Sequence, residues 1–273
     1  MRLFIGLLGF ILMSITMVPY SNAQSKVLFL HHSTGRNLLS EGNVIEWFAK
    51  FNESSSWKVE FVERTYPAKP YAWKNYPFDY WNLWVNGKCD SKEPGIECLA
   101  TLSSEYDAIV FKHCYPAAGI LEDEKPSIYS ERKSLENYKL QYRALRDMMD
   151  KKQDTLFIIW TLVPLHRLAT NFEGATRAGE FVRWVKNDYL KEDNKAHPNI
   201  KIFDYWGIVA ETGPASPKGM LNCLKYDFER NHASPDSHPN SLANATAGPL
   251  FAKFVVDAVD SFNARGAVPK KLL

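Results

Sequence analysis

The sequence lacks several features that identify particular classes of protein. Its 33 lysines and arginines nearly balance 31 aspartates and glutamates, for a formal net charge of +2, and the basic residues are scattered along the chain. A phosphate backbone is bound by a basic stripe or patch, so we expect no nucleic-acid partner. No internal repeat, low-complexity stretch or linker interrupts residues 24–273, so we interpret them as a single domain.

Long hydrophobic runs are also missing, except at the start of the chain. Arg2 precedes a nearly continuous apolar run over residues 3–18, and the small residues SNA follow at 21–23. This order is typical of a secretory signal peptide. The run is shorter than the roughly 20 residues that a spanning helix needs. We therefore expect residues 1–23 to be removed, and the mature protein to be secreted or periplasmic with no membrane partner.

Cysteine is scarce, with 4 residues in the whole chain. Cys89 and Cys98 flank a short hydrophilic segment that contains a Pro-Gly pair, so a bridge between them closes a small loop with little steric difficulty. We predict this disulfide for an exported protein. Cys114 and Cys223 are left either to pair or to stay reduced.

Short apolar runs alternate with helical patterns along the rest of the chain. Because the strand segments are continuous apolar runs, they predict a parallel sheet covered by helices on both faces, which is an α/β fold. The predicted strands are 26–30, 57–62, 106–111, 156–162 and 200–205, and the predicted helices are 39–51, 134–151, 179–189 and 247–262.

Chemistry in such a fold is expected at the carboxyl ends of the strands, where loops converge. Ser33 directly follows the first strand, and a Thr-Gly pair after it allows a sharp turn. A serine hydroxyl needs a base to take its proton, and the base needs an acid to hold it. Asp236 and His238 provide both in a proline-stiffened loop before the last helix. These three residues are the predicted catalytic group.

Three short motifs resemble the SGNH, or GDSL-type, hydrolase superfamily: HHSTG at 31–35, FKHCYP at 111–116 and DSHPN at 236–240. The resemblance implies a three-layer α/β/α sandwich, flavodoxin-like, around a five-stranded parallel sheet. It implies Ser33 as nucleophile, Asp236 and His238 as its partners, and no cofactor. The implied activity is hydrolysis of an acyl ester, with an acetyl group on a carbohydrate favoured; lipid and peptidoglycan esters remain open.

The second motif departs from the family, because its usual Gly-x-Asn, whose asparagine helps to bind the oxyanion, is replaced by residues 112–115 (KHCY). The Ser33 backbone N–H can still contribute to an oxyanion hole. We take His113 as the candidate side-chain donor. A buried structural histidine is the alternative for this residue.

A segment dense in aromatics and prolines, residues 66–84, is the candidate substrate surface. We assign Trp73 and Trp81 to substrate binding, as in a sugar-stacking surface or a lid. Packing in the core is the alternative for both side chains. The interspersed prolines argue against a plain helix or strand here.

Two other functions are compatible with the sequence. A zinc hydrolase would draw ligands from His31, His32, His113 and His238, but adjacent residues of an extended segment point to opposite sides, so we expect no metal. A carbohydrate-binding protein could keep the fold without activity.

Acceptor patterns for N-glycosylation begin at Asn52 and Asn244, and their use depends on the host.

Overall fold

The strands form one parallel sheet with the order β2-β1-β3-β4-β5. The computed structural model describes residues 24–72, 74–214 and 216–265, so the predicted signal peptide lies outside the described residues. The predicted fold, a three-layer α/β/α sandwich around five parallel strands, is confirmed. The strands are β1 (Gln24–His31), β2 (Lys58–Thr65), β3 (Ala108–Phe111), β4 (Leu156–Trp160) and β5 (Ile200–Phe203).

Helices cover both faces of the sheet. Two short 3-10 helices, at Tyr115–Ala118 and Tyr226–Phe228, lie in loops. None of the helices in the described part of the chain is long and apolar enough to cross a membrane. The α-helices are α1 (Ser33–Glu41), α2 (Val44–Ser54), α3 (Pro77–Trp84), α4 (Leu99–Glu105), α5 (Leu135–Met149), α6 (Phe172–Asn187), α7 (Tyr205–Val209) and α8 (Ser241–Asn263).

Alternate residues of the strands are buried in two hydrophobic cores, one on each face of the sheet. Val27 and Phe29 pack with residues of α1, α2 and α8, whereas Leu28 and Leu30 pack with residues of α3, α4, α5 and α6. Successive strand side chains point to opposite faces, so a strand buried on both sides must be apolar throughout. The continuous apolar runs that predicted a parallel sheet have this origin.

The single helix predicted over residues 39–51 is in fact two helices. Helix α1 ends at Glu41, and Asn43 takes a φ of 52° before α2 begins at Val44. This left-handed conformation interrupts a helix, and asparagine tolerates it better than most residues. The hydrophobic spacing continues across the break, which is why the sequence pattern did not reveal it.

Glycines allow α1 and α8 to meet backbone to backbone. A Cβ atom at Gly248 would fall 2.1 Å from the carbonyl oxygen of Gly42, which no side chain can tolerate. The close approach brings the start of α8, and the loop before it, next to α1. Residues that are distant in the sequence therefore meet at one end of the sheet.

The aromatic segment contains a helix, contrary to the expectation from its prolines. Helix α3 begins at Pro77, in its first turn, where the missing N–H of proline costs no hydrogen bond. Asp79 accepts a hydrogen bond of 2.8 Å from the backbone N–H of Tyr76 and so caps the helix.

Nearby, Cys89 and Cys98 form the predicted disulfide. Cys114 and Cys223 are both buried free thiols.

Candidate active site

The pairing of the two central strands brings Ser33 next to Cys114. Leu30 of β1 pairs with Phe111 of β3, and each strand ends close to this pair. The residues that follow β1 and those that follow β3 therefore leave the sheet side by side, at its carboxyl edge. As a result the Oγ atom of Ser33 lies 3.8 Å from the Sγ atom of Cys114.

Ser33 is the first residue of helix α1, and this position provides polarised backbone donors. His32 precedes the helix in an extended conformation, and the first intrahelical hydrogen bond runs from the Arg36 N–H to the His32 carbonyl (3.1 Å). The N–H groups of Ser33, Thr34 and Gly35 therefore have no carbonyl of a preceding turn to bind. They form the positive end of the helix dipole, which favours a negative charge beside the serine.

The three predicted catalytic residues form a continuous hydrogen-bonded chain. The His238 Nε2 atom lies 2.8 Å from the Ser33 Oγ atom, and the His238 Nδ1 atom lies 2.6 Å from Asp236 Oδ1. A carboxylate only accepts hydrogen bonds, so Nδ1–H donates to Asp236 and Nε2 is left to accept the serine proton. This is the geometry that a general base needs.

The loop that carries Asp236 and His238 is tied down at its base. Glu229 and Pro239 form an isolated antiparallel bridge, and the Asn240 side chain donates to the Glu229 carbonyl (3.2 Å) while also capping α8. Arg230 donates to both carboxylate oxygens of Glu41 at the end of α1, at 2.7 and 2.8 Å. These contacts join the loop to the two helices at either side of the site.

Hydrogen bonding keeps Asp236 ionised. Partial burial works to raise the pKa of this carboxyl group, but hydrogen bonds from the side chain and backbone N–H of His238 outweigh it, and the pKa lies below its ordinary value. The positive charge of Arg230 acts in the same direction. Asp236 thus places a negative charge beside the imidazole of His238.

The other three histidines singled out in the sequence are held neutral by burial. Desolvation lowers the pKa of His113 to about 3 and that of His32 to about 4, and the nearby Lys112 ammonium adds to both shifts. The pKa of His31 is also lowered, again mainly by burial. The side chain of His238 is 24% exposed, which leaves it accessible to a small molecule.

His113 is anchored in the core. Its Nε2 atom lies 2.9 Å from the hydroxyl of Tyr142 on α5, and its ring packs edge-on against Tyr80. The residue is 1% exposed. These contacts favour the structural alternative, and a contribution of this side chain to the oxyanion hole stays a prediction.

Of the two tryptophans predicted to bind substrate, the structure describes Trp81 and not Trp73. Trp81 is 3% exposed and packs against Phe78 and, edge-on, against Tyr129. Its burial favours the core alternative for this side chain. The aromatic ring that contacts the predicted catalytic group is Tyr115, whose centroid lies 4.9 Å from that of His238; the sequence placed Tyr115 in the second motif but indicated no role for it.

The histidines do not gather around a common point. Among the described residues, no group of three or more His, Cys, Asp or Glu side chains is arranged to hold a metal ion. The His31 Nε2 atom lies 2.6 Å from Glu63 on the neighbouring strand, whereas His113 faces Tyr142. The zinc alternative therefore has no ligand set in the part of the chain that is described.

Comparison with known proteins adds no family assignment. No protein-family model matches the chain, and no curated protein is significantly similar to it. The geometry of the site and the three short motifs are therefore the features that indicate a function.

Proposed function

We propose that this chain is an exported serine esterase that hydrolyses an acyl ester, with an acetyl ester of a carbohydrate as the favoured substrate. The observation that carries the proposal is the hydrogen-bonded series Ser33–His238–Asp236, with distances of 2.8 and 2.6 Å. These side chains lie at the carboxyl edge of a parallel sheet, where such folds bind their ligands. The disulfide between Cys89 and Cys98 is compatible with export.

In the first half of the reaction, the Ser33 Oγ atom attacks the carbonyl carbon of the ester while His238 Nε2 takes the hydroxyl proton. The carbonyl oxygen becomes an oxyanion, which the backbone N–H groups at the start of α1 stabilise. The intermediate then collapses, the bond to the alcohol breaks, and His238 gives its proton to the departing oxygen. The acyl group remains on Ser33.

In the second half, a water molecule gives a proton to His238 and attacks the acyl-serine carbonyl. The second intermediate breaks the bond to Ser33 Oγ, and His238 returns the proton to the serine. Asp236 stabilises the imidazolium in both halves. The products are the free acid and the alcohol.

The decisive experiment compares wild-type protein with Ser33→Ala on a chromogenic acetyl ester. The wild type should release the chromophore, and Ser33→Ala should lose activity by a factor on the order of 10⁶. A fluorophosphonate should label the wild type at Ser33 and leave the variant unlabelled. Ser40→Ala is the matched control, because Ser40 lies on the same helix but is exposed, and its hydroxyl donates to backbone carbonyls of that helix.

The alternatives give different results in the same assay. A binding protein without activity would neither hydrolyse the ester nor react with the fluorophosphonate. A zinc hydrolase would lose activity on addition of a chelator and keep most of it in Ser33→Ala. A folded Ser33→Ala protein that works at the wild-type rate would refute the proposal.

A further inference from the structure

We call residues 229–240, which carry Asp236 and His238, the catalytic loop. A buried glutamate with three basic neighbours, Glu229, begins this loop and is not used in the reaction described above. The side chain of Glu229 is 0% exposed, and its carboxylate oxygens lie 3.0 Å from His166 Nε2 and 3.1 Å from Arg167 Nε. The His232 Nδ1 atom lies 2.9 Å from the same carboxylate. A buried carboxylate is costly unless it is paired, so these contacts hold the four side chains together.

His166 has polar contacts on both sides of its ring, and one of them is a hydrogen bond. The backbone N–H of Leu168 donates to His166 Nδ1 (3.0 Å). On the other side of the ring, the Nε2 atom lies 3.0 Å from the Glu229 carboxylate. The loop that follows β4 is therefore locked against the residue that begins the catalytic loop.

One hydrogen bond connects the loop after β4 to the turn that contains Asp236 and His238. The backbone N–H of His166 donates to the hydroxyl of Ser237 (2.9 Å), and Ser237, which is fully buried, lies between Asp236 and His238 in the chain. The same hydroxyl lies 3.4 Å from the Pro235 carbonyl oxygen, to which it can donate. The turn that presents His238 to Ser33 is thus fastened at its midpoint to the loop after β4.

We propose that Glu229, His166 and Ser237 are positioning residues that hold His238 in line with the Ser33 hydroxyl. This inference rests on the proposed esterase function. Proton transfer requires the imidazole within hydrogen-bonding distance of the serine, and a displacement of about 1 Å can lower a rate by about 10²-fold. None of the three side chains needs to touch the substrate, so their loss should affect kcat and leave KM nearly unchanged.

The test compares Ser237→Ala and Glu229→Gln with wild-type protein on the chromogenic acetyl ester, at a temperature well below unfolding. Both variants should lower kcat by about 10²-fold with little change in KM. Labelling of Ser33 by a fluorophosphonate should slow by a similar factor. Near-ultraviolet circular dichroism establishes that each variant is folded. Ser237→Ala removes a single hydroxyl, so it keeps the test informative if Glu229→Gln does not fold.

Glu97→Gln is the matched control, because Glu97 is also buried and paired with an arginine, Arg64, but has no contact with the catalytic loop among the described residues. It should lose stability and keep kcat. A kcat loss in Glu97→Gln as large as that in Glu229→Gln, or a folded Ser237→Ala with wild-type kcat, would overturn the inference. If Ser33→Ala is inactive while Ser237→Ala is fully active, only the positioning role fails; if Ser33→Ala is active, the esterase proposal itself fails.

Discussion

The Sγ atom of Cys114 lies 3.8 Å from the Oγ atom of Ser33, so two side chains that can act as nucleophiles stand next to each other. Of these two side chains, Ser33 is the one with a hydrogen bond to the imidazole of His238 in the described part of the chain, at 2.8 Å. Cys114 is 2% exposed. A nucleophile needs both a base and access to the substrate, and Ser33 meets both conditions better.

Replacing the thiol should therefore have a small effect. We expect Cys114→Ala to keep most of the proposed activity on the acetyl ester, because the hydrogen bond between Ser33 and His238 does not pass through the sulfur. Steady-state kinetics on the acetyl ester measures this directly. A loss in Cys114→Ala as severe as that in Ser33→Ala would instead make the cysteine the reacting group.

Asp236 should contribute less to the rate than either of its partners. We expect Asp236→Ala to lower kcat by about 10⁴, compared with about 10⁶ for His238→Ala, by analogy with serine hydrolases whose triad members were removed singly. The double variant Ser33→Ala/His238→Ala should be hardly worse than either single variant, since the two residues act as a unit. Additive losses in the double variant would contradict a shared proton-transfer step.

Asp236 also contributes to stability in a way that depends on pH. Its pKa in the folded state lies below the ordinary value because of the hydrogen bonds from His238. The stabilisation is therefore present at neutral pH and is lost as the pH falls through the lowered pKa.

Lys112 should make the protein less stable than an apolar side chain would. Its Nζ atom is buried with no hydrogen-bond partner in the described part of the chain, and burial lowers the pKa of the ammonium to about 8. The unfolded chain binds a proton more tightly than the folded one, so this penalty is complete below pH 8 and decreases as the pH rises towards the ordinary lysine value, about 10.4.

We expect Lys112→Met to raise the free energy of unfolding at pH 7 by about 3 kcal/mol, with a gain that shrinks between about pH 8 and pH 10.4. Denaturant unfolding at several pH values measures this. Lys88→Met, at an exposed lysine, is the control and should show no such dependence. A gain that stays constant up to pH 10.4 would mean that Lys112 does not titrate abnormally.

Trp81 should act through stability and not through substrate binding. The residue is buried in the core formed by α3 and α5, so Trp81→Ala should cost about 3–5 kcal/mol of unfolding free energy. KM for the ester should stay close to the wild-type value at a temperature where the variant is folded. Trp47→Ala, at a partly buried tryptophan of α2, should cost less. A raised KM with unchanged stability would restore the substrate-binding role.

Much of the fold could be predicted from the sequence because it follows from local patterns. Continuous apolar runs such as those of β1 and β4 are the mark of strands buried on both faces, and they led to the correct number and parallel direction of the strands. The boundaries were less accurate. The break at Asn43 and helix α3 were missed, because a left-handed residue and a proline in a first turn leave the hydrophobic pattern unchanged.

The sequence also predicted the proposed reacting groups as residue types: a serine after the first strand, and an aspartate and a histidine before the last helix. Only the tertiary structure decided which other side chains surround them. Cys114 lies next to Ser33 because of the register between β1 and β3, and Tyr115 packs against the ring of His238. Glu229 lies in a loop that folds back against the loop after β4. Such contacts join residues far apart in the chain, and no local pattern encodes them, because packing of the whole chain sets the distances between them.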